Sequence, residues 1–223
     1  MIRSTLVSMN WNGQIDLLSV RYMKSIGIFG GTFDPPHIAH LVLASEAQAQ
    51  LELQRVLWVL TPVPPHKPGQ VISPASVRRE MVQAAILDNP AFELSSVDLD
   101  RDPPHYAVDT VHILRQQYPK AALIYLMGAD SLRDLPKWYH PEIFLQQCAY
   151  LGVVRRPEVT LDLDNLSSVL PGIERKIRFI DLPLLQVSST DIRQRVVRGG
   201  PFRYYLPEKV YQLVMQYHLY EAE

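Results

Sequence analysis

The sequence predicts an open, doubly wound parallel α/β sheet of five to six strands, followed by a C-terminal helical segment. Three observations predict it. Short apolar runs, SIGIF at 25–29, RVLWVL at 55–60, AALIYLM at 121–127 and AYLGVV at 149–154, read as strands buried on both faces. Between them lie longer stretches with apolar residues at helical spacing, and strand-helix-strand units of that kind cross over with a right-handed sense. The runs end in glycine, proline or arginine turns rather than in hairpin signals, and that carboxyl edge of an α/β sheet is where ligands bind.

Taken in order, residues 1–22 read as an extension ahead of one domain spanning 23–223. Asn10, Asn12, Gly13, Gln14 and Asp16 interrupt the apolar core that an export signal would need. A chain starting at Met23 is expected to keep full activity and thermal midpoint. The first strand runs into Gly30–His40, GGTFDPPHIAH. Paired Gly30 and Gly31 allow close backbone approach to a ligand. Pro35 and Pro36 end the strand pairing and preset entry into a helix. His37 and His40, three apart, fall on one face of its first turn. Free N–H groups at a helix start, with the dipole behind them, favour phosphate. The spacing fits neither the dinucleotide fingerprint nor the P-loop.

The first helix is expected over Ile38–Leu53, and the strand at 55–60 leads into TPVPPHKPG, a proline loop that carries His66 and Lys67. A second helix starts at Ser73, with Pro74 at its first position, and runs to about Asp88; Phe92–Leu99 follows as a strand. The loop RDPPHYA at 101–107 offers Tyr106 either as a stacking ring or as a cover for the core. Beyond the helix Val108–Gln117 and the strand at 121–127 comes Gly128-Ala129-Asp130. There a carboxylate serves either a ribose or the cap of a helix that begins at Ser131. LPKWY at 135–139 places Trp138 and Tyr139 in a loop, as stacking platforms or core plugs. Arg155 and Arg156 follow the strand at 149–154, two fixed charges suited to polyphosphate or adenine. Residues 158–174 read as a variable loop or short helix, and Ile177–Leu182 as the last strand.

The second strong motif is VSSTDIR at 187–193. A cap needs one hydroxyl. Ser188, Ser189 and Thr190, with Arg193 one turn into the helix, make a second anion site. That helix ends in Gly199-Gly200, and a final helix from Pro207 presents Val210, Leu213, Val214 and Tyr217 as a lid on the sheet.

Composition sets the boundaries. In 223 residues, 47% hydrophobic and 20% charged, there is room for one well-filled core, and no apolar run approaches the ~20 residues of a membrane span. A net charge of −1 gives no overall attraction to nucleic acid or an anionic membrane, so neither is expected as a partner. The single Cys148 suits a reducing cytoplasm and core packing. Oligomeric state is not legible, and a homo-oligomer stays open.

GGTFDPPHIAH resembles the GxFxPxHxGH signature of the nucleotidyltransferases, with Ala39 where that pattern has glycine, and VSSTDIR resembles the family's second motif. Together with PPHK, GADSL, LPKWY and RRP, they resemble the branch that adenylates nicotinate mononucleotide. The resemblance implies a Rossmann-like fold and adenylyl transfer from ATP, with Mg²⁺ bound alongside the ATP phosphates and no dedicated protein metal site. It implies that His37, His40, Lys67 and Arg193 stabilise the transferring phosphates. ATP would meet Gly30, Gly31, Thr32, Phe33, Gly128, Asp130, Arg156, Ser188, Ser189 and Thr190. The mononucleotide would meet Lys67, Tyr106, Ala107, Trp138 and Tyr139. The family has Ser-Tyr-Thr where this chain has His105-Tyr106-Ala107, so a threonine hydroxyl is missing; the helix-start N–H groups around Ala107 and Val108 remain, and His105 could supply the missing contact if it points inward and is protonated. A nicotinamide or other phosphorylated acceptor is the alternative substrate, and a nucleotide-binding protein without catalysis the alternative class.

Overall fold

The computed structural model describes residues 24–64, 71–155 and 160–221. The expectation for residues 1–22 lies outside them, as do His66, Lys67 and Arg156. The strands are β1 (Ser25–Gly31), β2 (Arg55–Leu60), β3 (Phe92–Ser95), β4 (Ala122–Gly128), β5 (Tyr150–Val154) and β6 (Ile177–Ile180). They form one parallel sheet of order β3-β2-β1-β4-β5-β6. Strand order reverses between β1 and β4, which leaves a crevice at their carboxyl ends.

The apolar runs fill two cores because successive residues of a strand point to opposite faces. Ile26 and Ile28 of β1, Leu57 and Val59 of β2, and Leu123 and Met127 of β4 face one core. Covering it are α3 (Ala107–Gln117), α4 (Ala129–Asp134), α5 (Pro141–Gln147), α6 (Leu163–Val169) and α7 (Ile173–Lys176). Phe29, Val56, Trp58, Leu60, Ile124 and Leu126 face the other. That side is covered by α1 (Ile38–Gln50), α2 (Ala75–Ile86), α8 (Ser189–Val197) and α9 (Glu208–Gln216). Among the described residues no helix is long and apolar enough to cross a membrane. Cys148 is buried, as expected, and burial pushes its thiol up to about 12.

Several boundaries differ from expectation for identifiable reasons. Pro74 caps α2 rather than opening it. β3 stops at Ser95 because Asp98, expected in the strand, turns inward to accept from Thr110 Oγ1 at 2.7 Å and Arg101 Nη2 at 3.0 Å. Residues 158–174, which showed no periodic pattern, hold α6 and part of α7. Leu166, Leu170 and Ile173 are buried there, and Asp162 caps α6 by accepting the Asn165 N–H at 2.9 Å. The last helix, α9, packs on α2 and not as a lid on the sheet. With α2 already over β2 and β3, the narrow stripe of Val210 and Val214 completes the second core from outside.

Candidate functional site

The histidine turn departs from β1 at Gly31. A Cβ on Gly30 would stand 2.7 Å from the Tyr125 hydroxyl, and one on Gly31 2.8 Å from the Phe33 ring. The glycines are therefore required by packing, besides leaving their backbone open on the cleft. Phe33 holds a positive φ of 49° and is buried between Phe29, Trp58 and His40. Its side chain supports the turn from the core, which leaves only its backbone for ATP. Pro35 and Pro36 lie before the helix, not in its first turn, and His37 is the N-cap of α1. Its N–H donates to His40 Nδ1 at 3.1 Å, and the two rings stack at 3.7 Å. Ala39 lies inside α1, not in the tightest part of the turn, and its methyl lines the cleft.

His37 is 5% exposed, and its Nδ1 has no hydrogen-bond partner among the described residues. Burial holds this imidazole down to about 4, with Asp191 pulling the other way. It is a neutral group at pH 7 and adds no charge to the site. The unfolded chain takes up the proton near 6.5 and the folded chain only near 4. Stability from this group is therefore full above 6.5 and falls as pH drops toward 4, by on the order of 3 kcal/mol. In urea unfolding, His37→Gln is expected to flatten that part of the pH profile. An unchanged profile would show that the acid loss comes from other groups.

The second motif meets the first directly. Ser188 caps α8 by accepting the Asp191 N–H at 3.1 Å, and Ser189 Oγ donates to the Pro35 carbonyl at 2.8 Å. Arg193 donates to the Asp34 carbonyl at 2.7 Å and to Thr190 Oγ1 at 3.4 Å. Arg193 Nη1 thus clamps the back of the histidine turn, and its half-exposed side chain stands beside Thr190. Ser188, Ser189 and Thr190 line the cleft. Asp191, in the first turn of α8, places a negative charge where an anion was expected, and Ser188 Oγ donates to it at 2.6 Å.

At the other end of the crevice Tyr106 caps α3, and its ring stacks on Tyr139 at 4.3 Å. Trp138 lines the same end while its ring packs on Tyr125 and Phe144, so it serves both core and cleft. Ala107 opens α3 and lines the cleft with His105. His105 is buried, with Nδ1 unpartnered among the described residues. Burial holds it below the usual imidazole range, only partly countered by Asp98, which disfavours the protonated form at pH 7. Gly128 caps α4, and Asp130 sits in its first turn rather than ahead of it. Both lie on the cleft wall. Arg155, beside the undescribed Arg156, stacks over Phe179 at 3.7 Å.

The cleft measures about 1560 Å³, more than the ~300–1,000 Å³ that one small ligand occupies, and large enough for two. It brings together Gly30, Gly31, Thr32, His37, His40, Gly128, Asp130, Ser188, Ser189, Thr190, Tyr106, Ala107, Trp138 and Tyr139. The sequence reading missed Leu184 and Leu185, exposed apolar residues on the wall before α8. It also missed Arg78, 2% exposed, which donates to the carbonyls of Thr32, Thr61, Pro62 and Ser73. The pattern held a signal: Arg78 occupies the same face of α2 as Met81, Val82 and Ala85, where a charge must be paired.

Comparison with known proteins gives a consistent result. Residues 28–195 match the cytidylyltransferase-like family model. The chain is 39% identical over 200 residues to the nicotinate-nucleotide adenylyltransferase of Bacillus subtilis, covering 90% of this chain and 100% of that one. It is 41% identical over 200 residues to a Thermomicrobium roseum protein named probable nicotinate-nucleotide adenylyltransferase, covering 90% and 93%. The solved Plasmodium falciparum nicotinic acid mononucleotide adenylyltransferase complexed with NaAD has the same fold. It aligns with a TM-score of 0.73 at 18% identity over 88% of this chain and 97% of that one.

Proposed function

The chain belongs to the cytidylyltransferase-like family, and on that premise we propose that it transfers the adenylyl group of ATP to nicotinate mononucleotide, giving nicotinate adenine dinucleotide and pyrophosphate. One observation carries this reading. The helix starts of α1 and α8 are bonded to each other, through Ser189 to Pro35 and Arg193 to Asp34, on a cleft long enough for two nucleotides and aromatic at one end.

The mononucleotide phosphate, largely a dianion at pH 7, attacks the ATP α-phosphorus, and the bond to the departing pyrophosphate breaks in line. No general base is needed. The phosphates lie between the starts of α1 and α8, where backbone N–H groups, His40 and the hydroxyls of Ser188 and Thr190 stabilise the growing charge. His37 acts as a neutral donor and as the cap that orients His40. The family resemblance adds Lys67 for the phosphates and Arg156 for the adenosine, both outside the described residues. Asp130 and Gly128 take the ribose side, and Tyr106, Trp138 and Tyr139 cover the pyridine ring. Mg²⁺ shields phosphate charge when bound. Among the described residues no three His, Cys, Asp or Glu are grouped to hold a metal. Both substrates and an unpaired cysteine suit a cytoplasmic setting.

A pyrophosphate-release assay with ATP tests the reading. Nicotinate mononucleotide should give rapid release, and phosphopantetheine, which has no ring for the aromatic end, should give none. ATP binding without release for any acceptor would make the chain a nucleotide-binding protein instead.

A further inference from the structure

Asp34, in the middle of the histidine turn, is 3% exposed. Its carboxylate accepts the Tyr220 hydroxyl at 2.6 Å and the Ser73 N–H at 3.1 Å. The backbone carbonyls around it are also taken: Thr32 O by Arg78, Asp34 O by Arg193 and Pro35 O by Ser189. A carbonyl facing the cleft would repel phosphate. With these carbonyls drawn onto donors from α2 and α8, the turn can offer N–H groups to an anion.

Tyr220 comes from beyond α9, far along the chain, and its ring packs against the second core. Its backbone stands at φ 65°, a region costly for a bulky side chain and kept only where the surroundings demand it. Burial first, then Asp34, push its phenol upward, so the hydroxyl stays a donor at working pH.

We propose that Tyr220 is a positioning residue for the transfer: its hydroxyl fixes the Asp34 carboxylate, and through it the turn that aims His40 and the start of α1 at the transferring phosphate. This role rests on the adenylyl-transfer reading above. It requires no contact between Tyr220 and substrate; Tyr220 is absent from the cleft lining. Arg78, Arg193 and Ser189 hold the same turn by its carbonyls, and among the described residues Tyr220 alone holds it by the side-chain oxygen Oδ1.

Tyr220→Phe in the full chain keeps the ring and removes the donor. The expected result is a kcat lowered about tenfold or more, with KM for ATP within about threefold. Amide hydrogen exchange should speed up across residues 30–40 while β5 keeps its protection. A kcat within about twofold of the parent, or unchanged exchange in the turn, overturns the role. If Tyr220→Phe does not fold, Asp34→Asn, which keeps the shape and loses the charged acceptor, carries the same expectations. Should the parent release no pyrophosphate with any mononucleotide, the reaction reading fails by itself, and the exchange comparison still decides this one.

Discussion

Replacing His40 with alanine is expected to lower kcat at least about a hundredfold while leaving KM for ATP nearly unchanged. His40 Nδ1 accepts the His37 N–H at 3.1 Å, so the ring is held from below and its proton sits on Nε2. The ring is clamped further between His37 and Phe33. A donor fixed in this way gains most when charge on the phosphoryl group peaks, which is the transition state rather than bound ATP. Steady-state kinetics with both substrates varied will separate the two parameters. A variant with near-normal kcat would take His40 out of the mechanism, and one that loses only ATP affinity would make it a binding residue. His37→Ala should fall in the same direction, because it removes the partner of the stack as well as a neutral donor.

The second large effect concerns the acceptor. Nicotinate presents a carboxylate where nicotinamide presents a neutral amide, so selectivity needs donors or positive potential aimed at that group. The start of α3 is the proposed source. Asp109 N–H and Thr110 N–H are spent on the Tyr106 carbonyl, and the N–H groups of Ala107 and Val108 head the helix. Arg101 lies under the same helix start, bonded to Tyr106 O at 3.2 Å and paired with Asp98 at 3.0 Å. Burial disfavours a charge on His105, so a neutral ring N–H is the most it offers in place of the hydroxyl that Ala107 lacks. A lost bond to a charged group costs about 1.5–3 kcal/mol, roughly ten- to a hundredfold in discrimination. The kcat/KM ratio should therefore favour nicotinate mononucleotide, by less than with a threonine at position 107. Ala107→Thr should widen it by up to about tenfold, since the Ala107 side chain already lines the cleft. Equal values for the two substrates, or a preference for the amide, would reverse this assignment.

Much of the site was legible because its chemistry is local. A helix start needs consecutive residues, and both GGTFDPPHIAH and VSSTDIR carry the cap, the small residues and the polar groups within one short stretch. The β2 run RVLWVL matched its strand residue for residue because residues 56–60 are buried without a break and Arg55 marks where the run begins. α6 and α7 were legible only as a variable loop or short helix for the opposite reason: each is short, and the burial of Leu166, Leu170 and Ile173 in the core, with the Asp162 cap, fixes them. Arg193 showed its charge in the sequence but not its direction. One turn into α8 it could have faced the cleft or the histidine turn, and the Asp34 carbonyl took it.

The sequence by itself determined the parallel α/β class, the two helix starts at the carboxyl edge and the aromatic loop, since each rests on spacing within a few residues. The tertiary structure alone decided how they work together. Tyr220, Ser73 and Arg193 converge on Asp34 from separate parts of the chain, and the Gly30 and Gly31 positions are fitted to Tyr125 and Phe33. Burial, which no linear pattern specifies, leaves His37 neutral and disfavours a charge on His105. Desolvation and long-range hydrogen bonds depend on which surfaces meet, and only the packed sheet and its helices fix that.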